Sequence, residues 1–286
     1  PAVPVICLGN LVAGGAGKTP TVIALVERLA ARGLTVHIVS RGYGGRLPGP
    51  LQVTPRHTAT EVGDEPVLLS AFAPVWVARD RAAGVQAAQV AGAQVILLDD
   101  GLQNPAVVPS LALVVVDAAK GFGNGRCIPA GPLREPVPVG LKRADLVLTI
   151  GDAAAQAGFD AIWGAAVTLP RLHGVLEPLQ MGMDWQDQRV LAFAGIADPA
   201  RFFASLRAEG AEVVRGEALS DHEPLSETLL RRLEAEAAAA DAQLVTTEKD
   251  AARLPPAWRS RVLTLVVRLK VQDWTALDAA IDRLGL

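Results

Sequence analysis

This sequence has no large excess of positive or negative charge, few cysteines and no long apolar runs. Its 27 lysines and arginines are balanced by 30 aspartates and glutamates, so the chain lacks the basic footprint of a nucleic-acid-binding protein. The two cysteines, Cys7 and Cys127, are too few for a disulfide framework and fit a reducing compartment. The uncharged opening over residues 1–17 is interrupted by proline, asparagine and glycine, whereas a membrane span needs about 20 mainly apolar residues.

Half of the residues are hydrophobic and 20% are charged, so the chain can bury a sizeable core. Short β-rich apolar runs alternate with helical patterns. The first run, Val5–Leu8, is followed by a glycine-rich turn and by a helix over about 20–32 that Gly33 ends. Near-continuous apolar strands separated by helices predict a parallel sheet covered on both faces. Further strands are predicted at Val36–Val39, Val95–Leu98, Leu113–Val116 and Leu146–Ile150.

Residues 165–188 show no clear periodicity and contain several prolines and glycines, which predicts a connection. The alternation restarts afterwards, with strands at Val190–Ala194, Glu212–Val214, Leu244–Thr247 and Val262–Val267 and helices near 199–209, 226–240 and 274–284. We therefore predict an α/β protein of two lobes. The first is a P-loop NTPase-type parallel-sheet domain over 1–164, and the second is a smaller α/β domain over 189–286.

The segment from Gly9 to Thr19 lies between the first strand and the first helix. Its glycines allow backbone N–H groups to surround phosphate oxygens, and the helix N-terminus adds its dipole. Lys18 is expected to contact the β- and γ-phosphates and Thr19 to bind Mg²⁺. Val12 departs from the usual P-loop pattern, and Ala13 stands where partition ATPases and signal-recognition GTPases have lysine. A plain glycine-rich turn is the alternative, which the strand, loop and helix context disfavours.

Paired acids end the predicted strand Val95–Leu98. A carboxylate from Asp99 at this position can reach a Mg²⁺ ion beside Thr19, as the Walker B acid does. The competing interpretation is an ordinary strand-end turn, in which Asp-Gly is common.

Three further polar segments allow both a functional and a structural interpretation. Asp64 and Glu65 precede Pro66, and the structural interpretation is that one of these acids simply caps a helix. Arg41 lies just after the second strand, where α/β sheets place groups that bind ligands. The structural interpretation of this segment is a tight turn with a solvated arginine. Arg134 and Glu135 lie between prolines in a rigid loop, in which an arginine could neutralise phosphate charge. A polar cluster over 220–223 contains His222, although a lone histidine is more often structural.

In this order the motifs GN-GGxGKTP, SRGYGG, GDEP, DDGxQ, PAGPLREP and DH resemble the tetraacyldisaccharide 4′-kinase family of lipid A biosynthesis. The resemblance runs from Gly9 to Asp250. It implies two α/β lobes, the use of ATP and Mg²⁺, and a membrane-bound glycolipid substrate that enters between the lobes. It also implies a peripheral position on the cytoplasmic face of the bacterial inner membrane. The family's N-terminal hydrophobic helix is expected to precede this chain, which starts at Pro1 rather than Met.

The resemblance also assigns roles to matching positions. It implies that Asp64 is the catalytic base, that His222 is its partner and that Lys18 also takes part in catalysis. The residues expected to bind ATP are Gly14, Gly15, Ala16, Gly17, Lys18, Thr19, Gln103 and Arg134. Those expected to bind the substrate are Arg41, Tyr43, Arg81 and Asn124, and those expected to bind the metal are Thr19, Asp99, Asp100 and Glu135. Two departures are Asn104 and Glu223, where the family usually has histidine. Asn104 weakens any acid–base or substrate role at that position.

Two other functions remain open from the residues alone. One is a nucleotide-switch ATPase or GTPase, which would act by binding partners. In Thr247-Glu248-Lys249-Asp250 the lysine is one place too late for the motif with which such GTPases recognise guanine. Ala13, in place of the leading lysine, counts against the switch ATPases. A kinase acting on a soluble small molecule is the third option.

Overall fold

Two β-sheets organise the chain in the computed structural model, which describes residues 1–180, 182–220 and 223–286. The nine strands of the larger sheet are β1 Val5–Gly9, β2 Val36–Ser40, β3 Leu51–Gln52, β4 Val75–Val77, β5 Val95–Leu98, β6 Leu111–Asp117, β7 Leu146–Ile150, β8 Arg171–Pro178 and β13 Val267–Val271. The four strands of the smaller sheet are β9 Arg189–Ala194, β10 Glu212–Ala218, β11 Gln243–Thr247 and β12 Leu263–Leu265. The strand order is β13-β8-β7-β6-β1-β5-β2-β4-β3 in the larger sheet and β10-β9-β11-β12 in the smaller one.

The centre of the larger sheet is parallel and fully covered. Strands β1, β2, β5 and β7 are buried at every residue, and only the edge strands β3 and β13 run antiparallel to their neighbours. A strand that is buried on both faces favours apolar residues on both, which is why these strands are mainly apolar, with His37, Ser40 and Thr149 as buried polar exceptions. The predicted α/β class with a covered parallel sheet is confirmed.

Ten α-helices connect or cover the strands in the described part of the chain. They are α1 Lys18–Ala31, α2 Ala59–Val62, α3 Asp64–Leu69, α4 Arg81–Val90, α5 Val137–Leu141, α6 Ala153–Trp163, α7 Pro199–Ala208, α8 Glu227–Ala239, α9 Glu248–Ala252 and α10 Thr275–Asp282. Helix α1 buries Val22, Leu25, Val26 and Leu29 against the larger sheet. We call the smaller sheet with α7, α8 and α9 the second lobe, and the larger sheet with the other helices the first lobe.

The structure differs from the sequence prediction at the boundary between the lobes. Residues 165–188 are not simply a connection, because they contain β8, which pairs with β7 and β13. This strand is only partly buried and includes His173, Gly174 and Pro178, so it lacks the apolar run that marks central strands. The predicted strand Val262–Val267 is in fact two strands, since β12 belongs to the smaller sheet and β13 to the larger one.

The C-terminal part of the predicted second domain also returns to the first lobe. Leu277 and Ile281 of α10 join the core cluster that contains α1 and β13, and Arg28 of α1 pairs with Asp278. The division into domains at 164 and 189 stays a prediction, but the larger sheet extends beyond both bounds. No helix in the described ranges has the length and apolar character needed to cross a bilayer.

Candidate active site

The glycine-rich loop joins β1 to α1 and has the backbone of an anion-binding turn. Gly14 and Gly17 have φ values of 108° and 88°, a region that side chains other than glycine rarely adopt. A Cβ on Gly17 would also lie 2.6 Å from Cδ1 of Ile150. Helix α1 starts directly afterwards at Lys18, so its unpaired N–H groups and dipole face the loop.

Lys18 is held at this loop by Asn10, which is not among the predicted site residues. The Lys18 Nζ atom lies 3.1 Å from Oδ1 of Asn10 and 3.6 Å from Oδ1 of Asp100. Asn10 is 1% exposed, and its Nδ2 donates to the carbonyl oxygens of Val12 and Gly14 at 2.6 and 3.3 Å. Asn10 therefore fixes both the loop backbone and the lysine. Its place in the GN motif was the available signal.

The two acids after β5 have different surroundings. Asp99 is buried and accepts a hydrogen bond from Oγ of Ser40 at 3.0 Å. Burial raises the pKa of Asp99 to about 6, although the charge of Lys18 opposes the shift. Asp100 has a φ of 53° and pairs with Nη1 of Arg134 at 3.0 Å. This left-handed turn, which aspartate tolerates better than most residues, lets consecutive carboxylates face different partners.

A polar network fixes Gln103 and Arg134 beside these acids. Gln103 Nε2 donates to the carbonyl of Asn10 at 3.0 Å and to Oε1 of Glu135 at 2.9 Å. Arg134 donates through Nη1 to Oε1 of Gln103 at 3.3 Å. The Glu135 carboxylate also pairs with Arg143 at 2.5 Å and is not among the described residues that line the cleft. Its predicted metal role stays a prediction with less geometric support than those of Thr19, Asp99 and Asp100.

A cleft of about 1090 Å³ brings most of the predicted site residues together. Those that line it are Gly14, Gly15, Ala16, Gly17, Lys18, Thr19, Arg41, Tyr43, Arg81, Asp99, Asp100, Gln103 and Arg134. Asn124 is not among the described lining residues, and its amide instead binds its own loop at Ala130 and Arg126. The cleft therefore combines the phosphate loop, the buried Asp99, the partly exposed Asp100 and several cations.

Arg81 is the least exposed of these cations. It is 3% exposed, and its Nη1 donates to the carbonyl of Ala78 at 2.7 Å. Within the described ranges its Nε has no hydrogen-bond partner. Burial lowers the pKa of Arg81, while the charges of Asp99 and Asp100 oppose that shift. A buried guanidinium with an unmet donor at the edge of a cleft is well suited to an anionic group. Tyr43, in contrast, is 68% exposed.

Ion pairs join the lobes beside the phosphate loop. Lys120 Nζ lies 3.2 Å from Oδ2 of Asp198, and Arg201 Nη1 lies 3.7 Å from Oδ2 of Asp117. Lys120 and Asp117 belong to the first lobe, whereas Asp198 and Arg201 belong to the second. All four line the cleft, so the cleft is formed between the lobes.

The predicted base, Asp64, is not among the described residues that line the cleft, although its neighbour Glu65 is. Asp64 begins α3 and is 8% exposed, and Nε of Arg253 lies 3.8 Å from its Oδ2. Its predicted partner, His222, falls outside the described residues. Arg253 and Lys249, whose Nζ lies 2.9 Å from Oε1 of Glu65, were not predicted as site residues. Lys249 belongs to the TEKD motif, whereas Arg253 lies beyond that motif and had no sequence signal of its own.

Comparison with known proteins identifies the family. The family described as Tetraacyldisaccharide-1-P 4′-kinase matches residues 1–285. The chain belongs to the tetraacyldisaccharide 4′-kinase family. A tetraacyldisaccharide 4′-kinase of Dinoroseobacter shibae is 64% identical over 99% of this chain and 85% of its own length. One from Jannaschia sp. is 57% identical over 98% of this chain and 86% of its own length.

A solved structure of the same family has a similar fold. The crystal structure of the "apo" form of LpxK from Aquifex aeolicus in complex with ATP superposes with a TM-score of 0.80 at 26% identity. The match covers 99% of this chain and 89% of that one. The prediction of a P-loop kinase of the tetraacyldisaccharide 4′-kinase family is confirmed, and the nucleotide-switch alternative is not favoured.

Proposed function

We propose that this protein transfers the γ-phosphate of ATP to the 4′-hydroxyl of a tetraacylated disaccharide 1-phosphate, the precursor of lipid A. The observation that supports this most is the interlobe cleft, in which the phosphate loop, the buried Asp99 and several arginines meet. Membership of the family gives the substrate class. In the reaction a bond forms between the sugar oxygen and the γ-phosphorus, the bond from that phosphorus to the β–γ bridging oxygen breaks, and ADP leaves.

The phosphates of ATP would bind over Gly14–Lys18. Loop N–H groups and the N-terminus of α1 supply fixed positive dipoles, and Lys18 adds a full charge. Arg81 and Arg134 line the same cleft and can neutralise charge that spreads over the transferring group. Phosphoryl transfer depends more on such positioning and neutralisation than on covalent chemistry with the protein.

Thr19 of α1 and the two acids that follow β5 fit a magnesium ion. The Thr19 hydroxyl and the Asp99 and Asp100 carboxylates are oxygen donors of the kind that Mg²⁺ prefers. The buried Asp99 supports this assignment, because its carboxylate is costly to ionise without a nearby cation. The described residues contain no group of three or more acidic, histidine or cysteine side chains placed to hold a metal. Mg²⁺ commonly binds through one or two carboxylates, waters and substrate phosphates, and when bound it neutralises phosphate charge.

Asp64 is our candidate for the group that accepts the proton of the sugar hydroxyl. It lies at the start of α3, where Arg253 approaches it from the second lobe. We propose that His222 assists it. Closure of the lobes would bring Asp64 of the first lobe and His222 of the second together at the substrate and would exclude water.

We also propose that the protein acts at the cytoplasmic face of the bacterial inner membrane, where it meets its lipid substrate. The proposal rests on the chemistry of that substrate.

The test is transfer of radiolabelled γ-phosphate from ATP to a detergent-dispersed tetraacyl disaccharide 1-phosphate. A water-soluble disaccharide phosphate serves as the control acceptor. Label in the lipid product supports the proposal. Equal labelling of the soluble acceptor would indicate a soluble-substrate kinase, and nucleotide hydrolysis without transfer would contradict a kinase function.

A further inference from the structure

The segment from Thr247 to Arg253 brings cations of the second lobe to the proposed base and to its neighbour Glu65. Helix α9 begins within this segment and packs against α3 of the first lobe. Lys249 and Arg253 are four positions apart and therefore share one side of the helical turn. They meet consecutive acids, since Lys249 pairs with Glu65 at 2.9 Å and Arg253 Nε lies 3.8 Å from Oδ2 of Asp64.

Arg253 is fixed within the second lobe independently of Asp64. Its Nη2 donates to Asp250 and its Nη1 to the carbonyl of Glu223 at 2.8 Å. Asp250 is fully buried and also accepts hydrogen bonds from the Gly195 N–H at 3.1 Å and the Thr247 hydroxyl at 2.6 Å. The guanidinium is therefore held by a rigid group of side-chain and main-chain contacts.

Gly195 supports the same arrangement. A Cβ at this position would lie 2.5 Å from Nη2 of Arg253 and 3.2 Å from Oδ1 of Asp250. Any larger residue would have to displace the guanidinium. The backbone of the second lobe is thus shaped to admit Arg253 at this place.

The Nε atom of Arg253 is the donor that this arrangement leaves for Asp64. The Arg253 side chain is 7% exposed, and its Nε has no hydrogen-bond partner within the described ranges. Its 3.8 Å distance from Oδ2 exceeds a hydrogen bond by about 1 Å. A buried unmet donor is unfavourable, so a small approach of the second lobe toward α3 would be favoured by the new bond.

We propose that Arg253 is a positioning residue that orients the Asp64 carboxylate when the second lobe closes on the first. The inference rests on the proposed function, in which Asp64 accepts the proton. Arg253 acts through Asp64 and does not itself contact the reacting atoms. It thereby couples lobe closure to the alignment of the base.

A purely structural role, in which Arg253 only docks the lobes, is the competing explanation, and Arg268 provides the matched control. Arg268 on β13 binds the carboxylate of Glu248 with two nitrogens, at 2.6 and 3.1 Å. It therefore ties the same helix α9 to the first lobe. Its other contacts within the described ranges are the main-chain carbonyl of Val267 at 2.9 Å and the ring of Phe72, 5.2 Å away. Arg268→Gln therefore loosens α9 without removing a partner of Asp64.

The experiment compares Arg253→Gln, Arg253→Lys and Arg268→Gln, each with Asp64 intact and with Asp64→Asn. Kinetics use ATP and the detergent-dispersed lipid disaccharide, and thermal melts check folding. We expect Arg253→Gln to lower kcat by roughly 10- to 100-fold, because misplacing a reacting group by about 1 Å has an effect of this size. The KM for ATP should stay within about twofold, since the phosphate loop is unchanged. Arg253→Lys should recover part of the rate.

In the Asp64→Asn background, Arg253→Gln should cause little further loss, since groups that act as one unit are not additive. Additive losses, or a loss in Arg268→Gln equal to that in Arg253→Gln, would overturn the positioning role. If Arg253→Gln does not fold, the same cycle with Arg253→Lys decides the question, with additivity again the contrary result.

Failure of the underlying function has a different signature. Absence of phosphate transfer in the wild-type protein would remove the proposed function, and full activity in Asp64→Asn would remove the base. A strong loss in Asp64→Asn with unchanged rates in both Arg253 variants would contradict the Arg253 inference alone.

Discussion

Replacing Asp99 by asparagine is expected to stabilise the folded protein while it lowers activity. Asp99 is 7% exposed at the end of β5, and burial raises its pKa from 3.8 to about 6. The amide is neutral at every pH, and its oxygen can still accept the hydrogen bond from Ser40. The substitution therefore removes a buried charge with little change in shape.

The size and sign of the effect follow from the shift in pKa. Below about pH 4 the carboxyl is protonated in both folded and unfolded chains, so its charge contributes no difference. Between pH 4 and 6 the unfolded chain ionises while the folded one keeps its proton, and the folded protein loses stability as pH rises. Above pH 6 the loss is complete, at about 3 kcal/mol for a shift of roughly two units. Asp99→Asn should be more stable by about this amount at pH 7.5 and by little at pH 4.

The assay is urea unfolding of both proteins across this pH range, without and with Mg²⁺. The stability difference should grow between pH 4 and 6 and then level off. Mg²⁺ should stabilise the wild type more than the variant above pH 6, because a ligand that binds the folded state stabilises it. A stability difference that does not vary with pH would refute the reasoning. Equal maximal rates and equal half-saturating Mg²⁺ in the two proteins would reject the Walker B assignment.

Three further outcomes are expected. Lys18→Ala should lower kcat at least ~100-fold with an unchanged thermal melt, because it removes a preorganised charge from the transfer site; near-normal turnover would argue against the P-loop assignment. The wild-type protein should label the lipid disaccharide only when detergent or lipid disperses it, and comparable rates with a soluble sugar would contradict the substrate class. Asp64→Ala should lose more kcat/KM than His222→Ala, and the double variant should lose little more than Asp64→Ala, with nucleotide Kd unchanged throughout; fully additive losses would return both residues to structural roles.

The central strands could be predicted from sequence because burial on both faces leaves a continuous apolar run. The edge strands could not. β3 is only two residues long, and β8 alternates between buried and partly exposed positions. The division between β12 and β13 was hidden because Val262–Val267 contains no charged residue, glycine or proline. Only tertiary structure assigns its two halves to different sheets.

Much of the site was predictable for a related reason. Parallel strands end at one edge of the sheet, so motifs that follow β1, β2 and β5 must converge there. Arg253 was missed because its role depends on a partner and not on a motif, and Asn10 was missed because the GN motif does not show what its side chain contacts. Arg253 meets Asp64 only through packing of α9 on α3, and Asn10 acts on the lysine and on the loop backbone.

The pairing of β8 with β13 has a consequence for how the second lobe is attached. Pro178 pairs with Val267, and the N–H of Leu179 donates to the carbonyl of Val266 at 2.8 Å. The chain thus leaves and re-enters the first lobe at adjacent points of one antiparallel strand pair, as an insertion at the end of a hairpin would. We infer that residues 179–266 could be replaced by a short turn, leaving a first lobe that keeps its nine-stranded sheet and its α10 cover. Because both crossings lie at this one strand pair, the lobe closure proposed for Arg253 would not require any change of strand pairing in the sheet that carries the phosphate loop.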